Sequence, residues 1–138
     1  MKNKKLIVYT DGGSRGNPGP AGIGVVIQDE TKKKVKEVYR YIGEATNNIA
    51  EYNAVICGLE EAIELKAKDI TVYVDSELIA KQLNGEFRVK DAEIKLLFEK
   101  VISILKNFNS YEIEHIERSK NKEADKLANK AINLAGLF

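Results

Sequence analysis

The chain of 138 residues has one cysteine, one histidine, two prolines and no long apolar run. A single cysteine, Cys57, excludes an intrachain disulfide, and its place within a helical pattern points to an inert packed thiol. No stretch approaches the ~20 consecutive apolar residues that cross a bilayer. The opening Met1-Lys2-Asn3-Lys4-Lys5 leads into a strand without the apolar core and cleavage site of a signal peptide, so a cytoplasmic location is expected. A formal net charge of +1 excludes a uniformly basic surface, and any footprint for an anionic partner must be local. Repeats, low-complexity tracts and linkers are missing. The length suits one domain over residues 1–138 with its own core.

What is present begins with Thr10-Asp11-Gly12-Gly13-Ser14-Arg15-Gly16-Asn17-Pro18-Gly19-Pro20. A β-type run, Leu6 to Thr10, delivers an aspartate into a loop with almost no side-chain bulk. Alternation puts Ile7, Tyr9 and Asp11 on one strand face and Leu6, Val8 and Thr10 on the other. The glycines let another backbone approach closely, and the prolines stiffen the exit. A carboxylate held at a strand end beside such a loop suits metal-assisted work on a phosphate backbone.

Strands follow over about 5–11, 22–28 and 35–42, with connections short enough for an antiparallel meander. Thr46-Asn47-Asn48 starts a helix on which Ile49, Tyr52, Ile56, Leu59 and Ile63 recur at helical spacing. A β-branched strand, Ile70 to Asp75, again ends in aspartate, and Ser76 caps a short helix to Leu83. A further helix begins near Asp91, with Ile94, Leu97, Phe98, Val101 and Leu105 inward. A fifth strand spans Tyr111 to Glu117, and Asn121 caps a last helix with Ala124, Leu127, Ala128, Ala131 and Leu134 on its apolar face. Three meander strands followed by helix–strand crossovers describe a mixed α/β sheet covered by helices, its later strands parallel.

The candidate chemistry rests on Asp11, Glu51, Asp75 and Asp125. Two end strands and two lie near helix starts, the places where ligand crevices form in a helix-covered sheet. Paired Mg²⁺ ions require oxygen ligands, and four carboxylates from four segments match that demand. Spacing in sequence does not by itself show that they converge.

Asp11-Gly12-Gly13-Ser14 with Gly16-Asn17-Pro18-Gly19, Thr46-Asn47-Asn48-Ile49-Ala50-Glu51-Tyr52, Val74-Asp75-Ser76 and Asn121-Lys122-Glu123-Ala124-Asp125 occur in that order. Together they resemble type 1 ribonuclease H. The resemblance implies a five-stranded mixed sheet of order 3-2-1-4-5 with helices on both faces. It implies endonucleolytic hydrolysis of the RNA strand of an RNA–DNA hybrid, leaving 3′-hydroxyl and 5′-phosphate ends. It implies two Mg²⁺ ions, with Mn²⁺ as a substitute, held by Asp11, Glu51, Asp75 and Asp125, Asp11 bridging both. Gly12, Gly13, Ser14, Asn17, Asn48 and Ser76 resemble contacts to the RNA, and Thr46 and Asn47 resemble contacts to the DNA strand. A monomer is expected. A structure-selective DNA nuclease and a non-catalytic hybrid-binding module share the fold and are the alternatives.

Two family features are missing. The only histidine, His115, falls within the fifth strand rather than in a loop before the last motif, which leaves Arg118 as a candidate auxiliary group. Asn84-Gly85 runs within a few residues to the next helix, with only Arg88 and Lys90 between, so the basic helical protrusion of many members is expected to be absent. A local basic face remains in Arg118, Lys120, Lys122, Lys126 and Lys130.

Overall fold

The computed structural model describes residues 4–136; the ends of the expected 1–138 domain, including Met1-Lys2-Asn3, lie outside the described residues. Strands β1 (Lys5–Ser14), β2 (Gly19–Asp29) and β3 (Lys34–Ala45) form an antiparallel meander. Helix α1 (Asn47–Glu64) crosses to β4 (Asp69–Val74), which pairs parallel with β1. Helices α2 (Glu77–Leu83) and α3 (Ala92–Leu105) lead to β5 (Ser110–His115), parallel to β4. A 3₁₀ turn, Arg118–Lys120, precedes α4 (Lys122–Ala135). The sheet order is β3-β2-β1-β4-β5, as the family resemblance implies.

Alternation in β1 and β2 decides which helix covers which face. Leu6, Val8, Val25 and Ile27 are fully buried in the main core with Val55 and Leu59 of α1 and Val101 and Leu105 of α3. The opposite face of β2 is built differently. A Cβ on Gly24 would lie 2.1 Å from the Ala124 carbonyl oxygen, and one on Gly22 would lie 2.6 Å from that of Ala128. The backbone of α4 therefore rests directly on these glycines, an approach that any side chain would prevent. Burial of the apolar side chains on the first face, at about 25 cal/mol per Å², is the dominant stabilising term.

The first three strands run longer than the side-chain pattern indicates. Gly12, Gly13 and Ser14 continue β1 by pairing with Ile23, Gly22 and Ala21. Backbone ladders need no side chains, so hydrophobic alternation does not register them. At the other end of the chain β5 stops at His115, and Ile116 and Glu117, expected to extend it, are an irregular link to the 3₁₀ segment. On α1, Ala62 takes the inward position, leaving Ile63 37% exposed. Ile132 is likewise buried on α4 while Leu134 faces outward.

The caps expected at Thr46 and Ser76 form and Asp91 supplies a third, each side chain accepting from the backbone N–H three residues on. Asn121 makes no such bond. Its amide is used elsewhere, as described below. No helix lies between α2 and α3, so no helical protrusion stands there among the described residues. None of the helices described is long and apolar enough to cross a membrane.

Candidate metal centre

Parallel pairing brings two of the acids together. Tyr9 of β1 lies opposite Tyr73 of β4, the last pair of that ladder, so Asp11 and Asp75, each two residues further, stand at the same height just beyond the β1–β4 pairing. Glu51 arrives from α1. The ideal Cβ of Gly12 would fall 2.2 Å from the Ala50 carbonyl oxygen and 2.7 Å from the Glu51 nitrogen. Only glycine lets the first turns of α1 close on the strand end, and that closure delivers Glu51. Carboxylate oxygens of Asp11, Glu51 and Asp75 lie within 4.8 Å of one another. Asp125, carried by α4 across the other face, lines the same cleft.

The cleft has a volume of about 410 Å³ and is also lined by Gly12, Gly13, Ser14, Arg15, Asn47, Ser76, Arg118 and Asn129. Asn17, Thr46 and Asn48 instead line an adjoining cavity of about 460 Å³, with Asn47 common to both. The two are tied together by Asn47. Its side-chain oxygen accepts from the Ser14 N–H at 2.9 Å, and its own N–H donates to the Asn17 side chain at 3.0 Å. His115 is exposed at the end of β5 and lines neither cavity.

Crowding changes the acids. Burial, reinforced by the charges of Asp75, Asp125 and Glu51, pushes the Asp11 carboxyl up to about 9. Burial and Asp75 push Glu51 up to about 7, while Ser76 and the Arg118 guanidinium oppose the rise. Arg118 is thus electrostatically coupled to the cluster. Glu51 Oε2 is buried and meets no protein donor. Hard oxygen donors only, close together, one of them unpartnered and two reluctant to ionise, fit a hard divalent cation. The acidic group can hold a metal.

Sequence reasoning passed over Arg15, Asn129 and the buried role of Asn121. The Arg15 guanidinium reaches the Asn129 side chain at 3.4 Å across the cleft, and Asn129 donates to the Asp125 carbonyl at 3.0 Å. Both had readable signals: Arg15 lies inside the glycine motif, and Asn129 follows Asp125 by one helical turn.

A family model described as reverse transcriptase-like matches residues 9–131. A bifunctional protein of Mycobacterium tuberculosis is 39% identical over 132 residues, 95% of this chain but 36% of that protein. The chain thus spans about a third of the length of the mycobacterial relatives it matches. A ribonuclease H of Clostridium botulinum is 32% identical over 151 residues, covering 94% of this chain and 97% of that one. Among solved structures, LC11-RNase H1, isolated from compost and crystallised with an RNA/DNA hybrid, superposes with a TM-score of 0.90 at 45% identity, covering 94% of this chain and 98% of that one.

Proposed function

We propose, since this chain belongs to the type 1 ribonuclease H family, that it hydrolyses the RNA strand of RNA–DNA hybrids, leaving 3′-hydroxyl and 5′-phosphate ends. The observation that carries the reading is the convergence of Asp11, Glu51 and Asp75 within 4.8 Å, with Asp125 on the same cleft. The hybrid seen with LC11-RNase H1 supports the substrate.

In this reading Asp11 stands at the centre, with Glu51 and Asp75 to one side and Asp125 to the other. Asp11, Glu51, Asp75 and Asp125 would hold two Mg²⁺ ions, or Mn²⁺ in their place, which would supply an acidified water and neutralise charge at the cleaved phosphate. The rest falls to the protein. The Gly12–Ser14 backbone admits the RNA strand without steric conflict. Asn17, Asn47 and Asn48 offer neutral hydrogen bonds where further carboxylates would repel phosphate, and Thr46 and Ser76 add hydroxyls. In the same reading Glu51 would also meet the 2′-hydroxyl that distinguishes RNA from DNA. Residues 1–138 act as a single domain, as a monomer in the cytoplasm.

The deciding experiment incubates labelled hybrid, DNA duplex and RNA duplex separately, with Mg²⁺, Mn²⁺ or chelator. Cleavage of RNA in the hybrid alone, and only with metal, is expected. DNA duplex cut as fast as hybrid would favour a structure-selective DNA nuclease. Hybrid binding without cleavage in any metal would favour a binding module.

Two arginines line the cleft and differ in setting. Arg118 acts on Glu51, so Arg118→Ala should lower kcat more than His115→Ala does. Loss of activity in a folded His115→Ala protein, with Arg118→Ala fully active, would reverse that assignment. Arg15 makes none of the ion pairs among the described residues and is available to a phosphate. Arg15→Ala should raise KM with little change in kcat and reduce the salt slope of hybrid binding by about one phosphate. An unchanged slope would remove Arg15 from the substrate contacts.

A further inference from the structure

Asn121 is 1% exposed, and its side-chain nitrogen donates twice, to the Thr10 carbonyl at 2.9 Å and to Asp75 Oδ2 at 2.9 Å. Both amide protons are thereby used. Its Oδ1, equally buried, meets no protein donor. The orientation is nonetheless fixed, because turning the amide over would set Oδ1 against two acceptors. A residue serving only to cap α4 would direct its side-chain oxygen at the first-turn N–H groups, as Thr46, Ser76 and Asp91 do on their helices. Asn121 does not.

We infer that Asn121 is a positioning residue that aligns the acids for metal binding through Asp75. The inference rests on reading the carboxylate cluster as the metal and cleavage site. One amide joins three elements: β1 at Thr10 beside Asp11, the residue after β4 that is Asp75 itself, and the start of α4, four residues before Asp125. The Asp125 N–H closes the arrangement by donating to the Asn121 carbonyl at 3.1 Å. With Oδ2 of Asp75 held by a neutral donor, its rotamer is set and its other oxygen is left for the cluster. A lysine or arginine in that place would also hold the carboxylate, but its charge would oppose a cation. An amide supplies the hydrogen bond without that opposition. Outer partners of this kind typically change metal affinity or activity by 10–100-fold when removed.

The test compares native protein, Asn121→Ala and Asn121→Leu, the latter keeping size and neutrality but losing the donor. Mn²⁺ binding is measured by calorimetry without substrate, alongside thermal unfolding in chelator and the Mg²⁺ concentration for half-maximal cleavage. Both variants should bind Mn²⁺ at least about 10-fold more weakly and require correspondingly more Mg²⁺, with kcat recovered by excess metal in Asn121→Ala. In an Asp75→Asn background, Asn121→Ala should produce no further loss of Mn²⁺ affinity. Reduced melting temperature with unchanged metal affinity would mean that Asn121 is structural only, and the inference fails. Should the variants not fold, the native protein answers: in ¹⁵N spectra the Asn121 side-chain protons must exchange much more slowly than those of exposed asparagines such as Asn109, and equal exchange overturns the inference. Native protein that neither binds Mn²⁺ nor cleaves hybrid would instead overturn the reading of the site.

Discussion

Asp11→Asn should slow hybrid cleavage by more than about 100-fold, beyond the 10–100-fold typical of losing an outer partner, while raising the melting temperature of the metal-free protein. Both effects come from one arrangement. Three carboxylates within 4.8 Å, two of them largely buried, take part in none of the ion pairs among the described residues. Two unit charges 4 Å apart repel by about 4 kcal/mol at an effective dielectric of 20. Relaxation and proton uptake relieve most of this, but relief of even about 1 kcal/mol corresponds to a shift of ~4 °C in a domain of this size. The amide keeps the shape of the carboxyl and removes its charge.

The pH dependence follows with a definite sign. In the metal-free fold Asp11 is raised to about 9 and Glu51 to about 7, both above their ordinary values of 3.8 and 4.5. The folded state therefore holds protons that the unfolded chain gives up. The stability that these groups contribute is complete below about pH 4. It declines as pH rises, through Glu51 near 7 and then Asp11 near 9. Metal-free native protein should lose melting temperature between pH 5 and pH 9, and Asp11→Asn should lose less. Mg²⁺ should stabilise the native protein increasingly across the same range, because the ion competes with those protons, and Asp11→Asn much less. Thermal unfolding of both proteins with and without Mg²⁺ checks each statement. Equal Mg²⁺ shifts, with no gain from the substitution in chelator, would show that the acids do not share a site.

Gly12→Ala and Gly13→Ala, one residue apart, should have very different outcomes. A Cβ on Gly12 would meet the Ala50 carbonyl oxygen at 2.2 Å, its carbon at 2.4 Å and the Glu51 nitrogen at 2.7 Å, all backbone. None can turn aside as a side chain tip would, so α1 must move away from β1. Overpacking of this kind costs about 1–3 kcal/mol, more where backbone blocks relaxation. The displaced segment is the one that carries Glu51, so cleavage should fall by more than about 100-fold with it, as for loss of a ligand. The nearest atom to a Cβ on Gly13 is Asn47 Oδ1, at 3.8 Å, an ordinary contact. Gly13→Ala should stay within about 1 kcal/mol of native stability. Denaturant unfolding and hybrid cleavage of the two variants test this. Similar losses in both would mean that these glycines act through backbone freedom or substrate contact and not through the approach of α1.

Much of the architecture was legible because it is written in periodicity and caps. Apolar residues at helical spacing marked α1 and α3, β-branched runs marked β4, and Thr46, Ser76 and Asp91 announced helix starts through a chemistry local to three or four residues. The candidate acids were legible for a similar reason, since each lies at an element end that local pattern defines. Their order along the chain carried the family resemblance. What local pattern could not contain was distance. The equal height of Asp11 and Asp75 depends on the register of β1 against β4, and their nearness to Glu51 depends on a contact between Gly12 and Ala50. The extension of β1 through Gly12, Gly13 and Ser14 is a matter of backbone pairing, to which side-chain alternation is blind. Asn121 shows the division most clearly. Its sequence position is that of a helix cap, and locally it could be one. Only the packing of α4 across the sheet brings Thr10 and Asp75, 111 and 46 residues away in the chain, within reach of its amide. The residue types and their order were set by the sequence; which of them share one site was decided by strand register and by helices resting on glycine, where the absence of a side chain lets backbones meet.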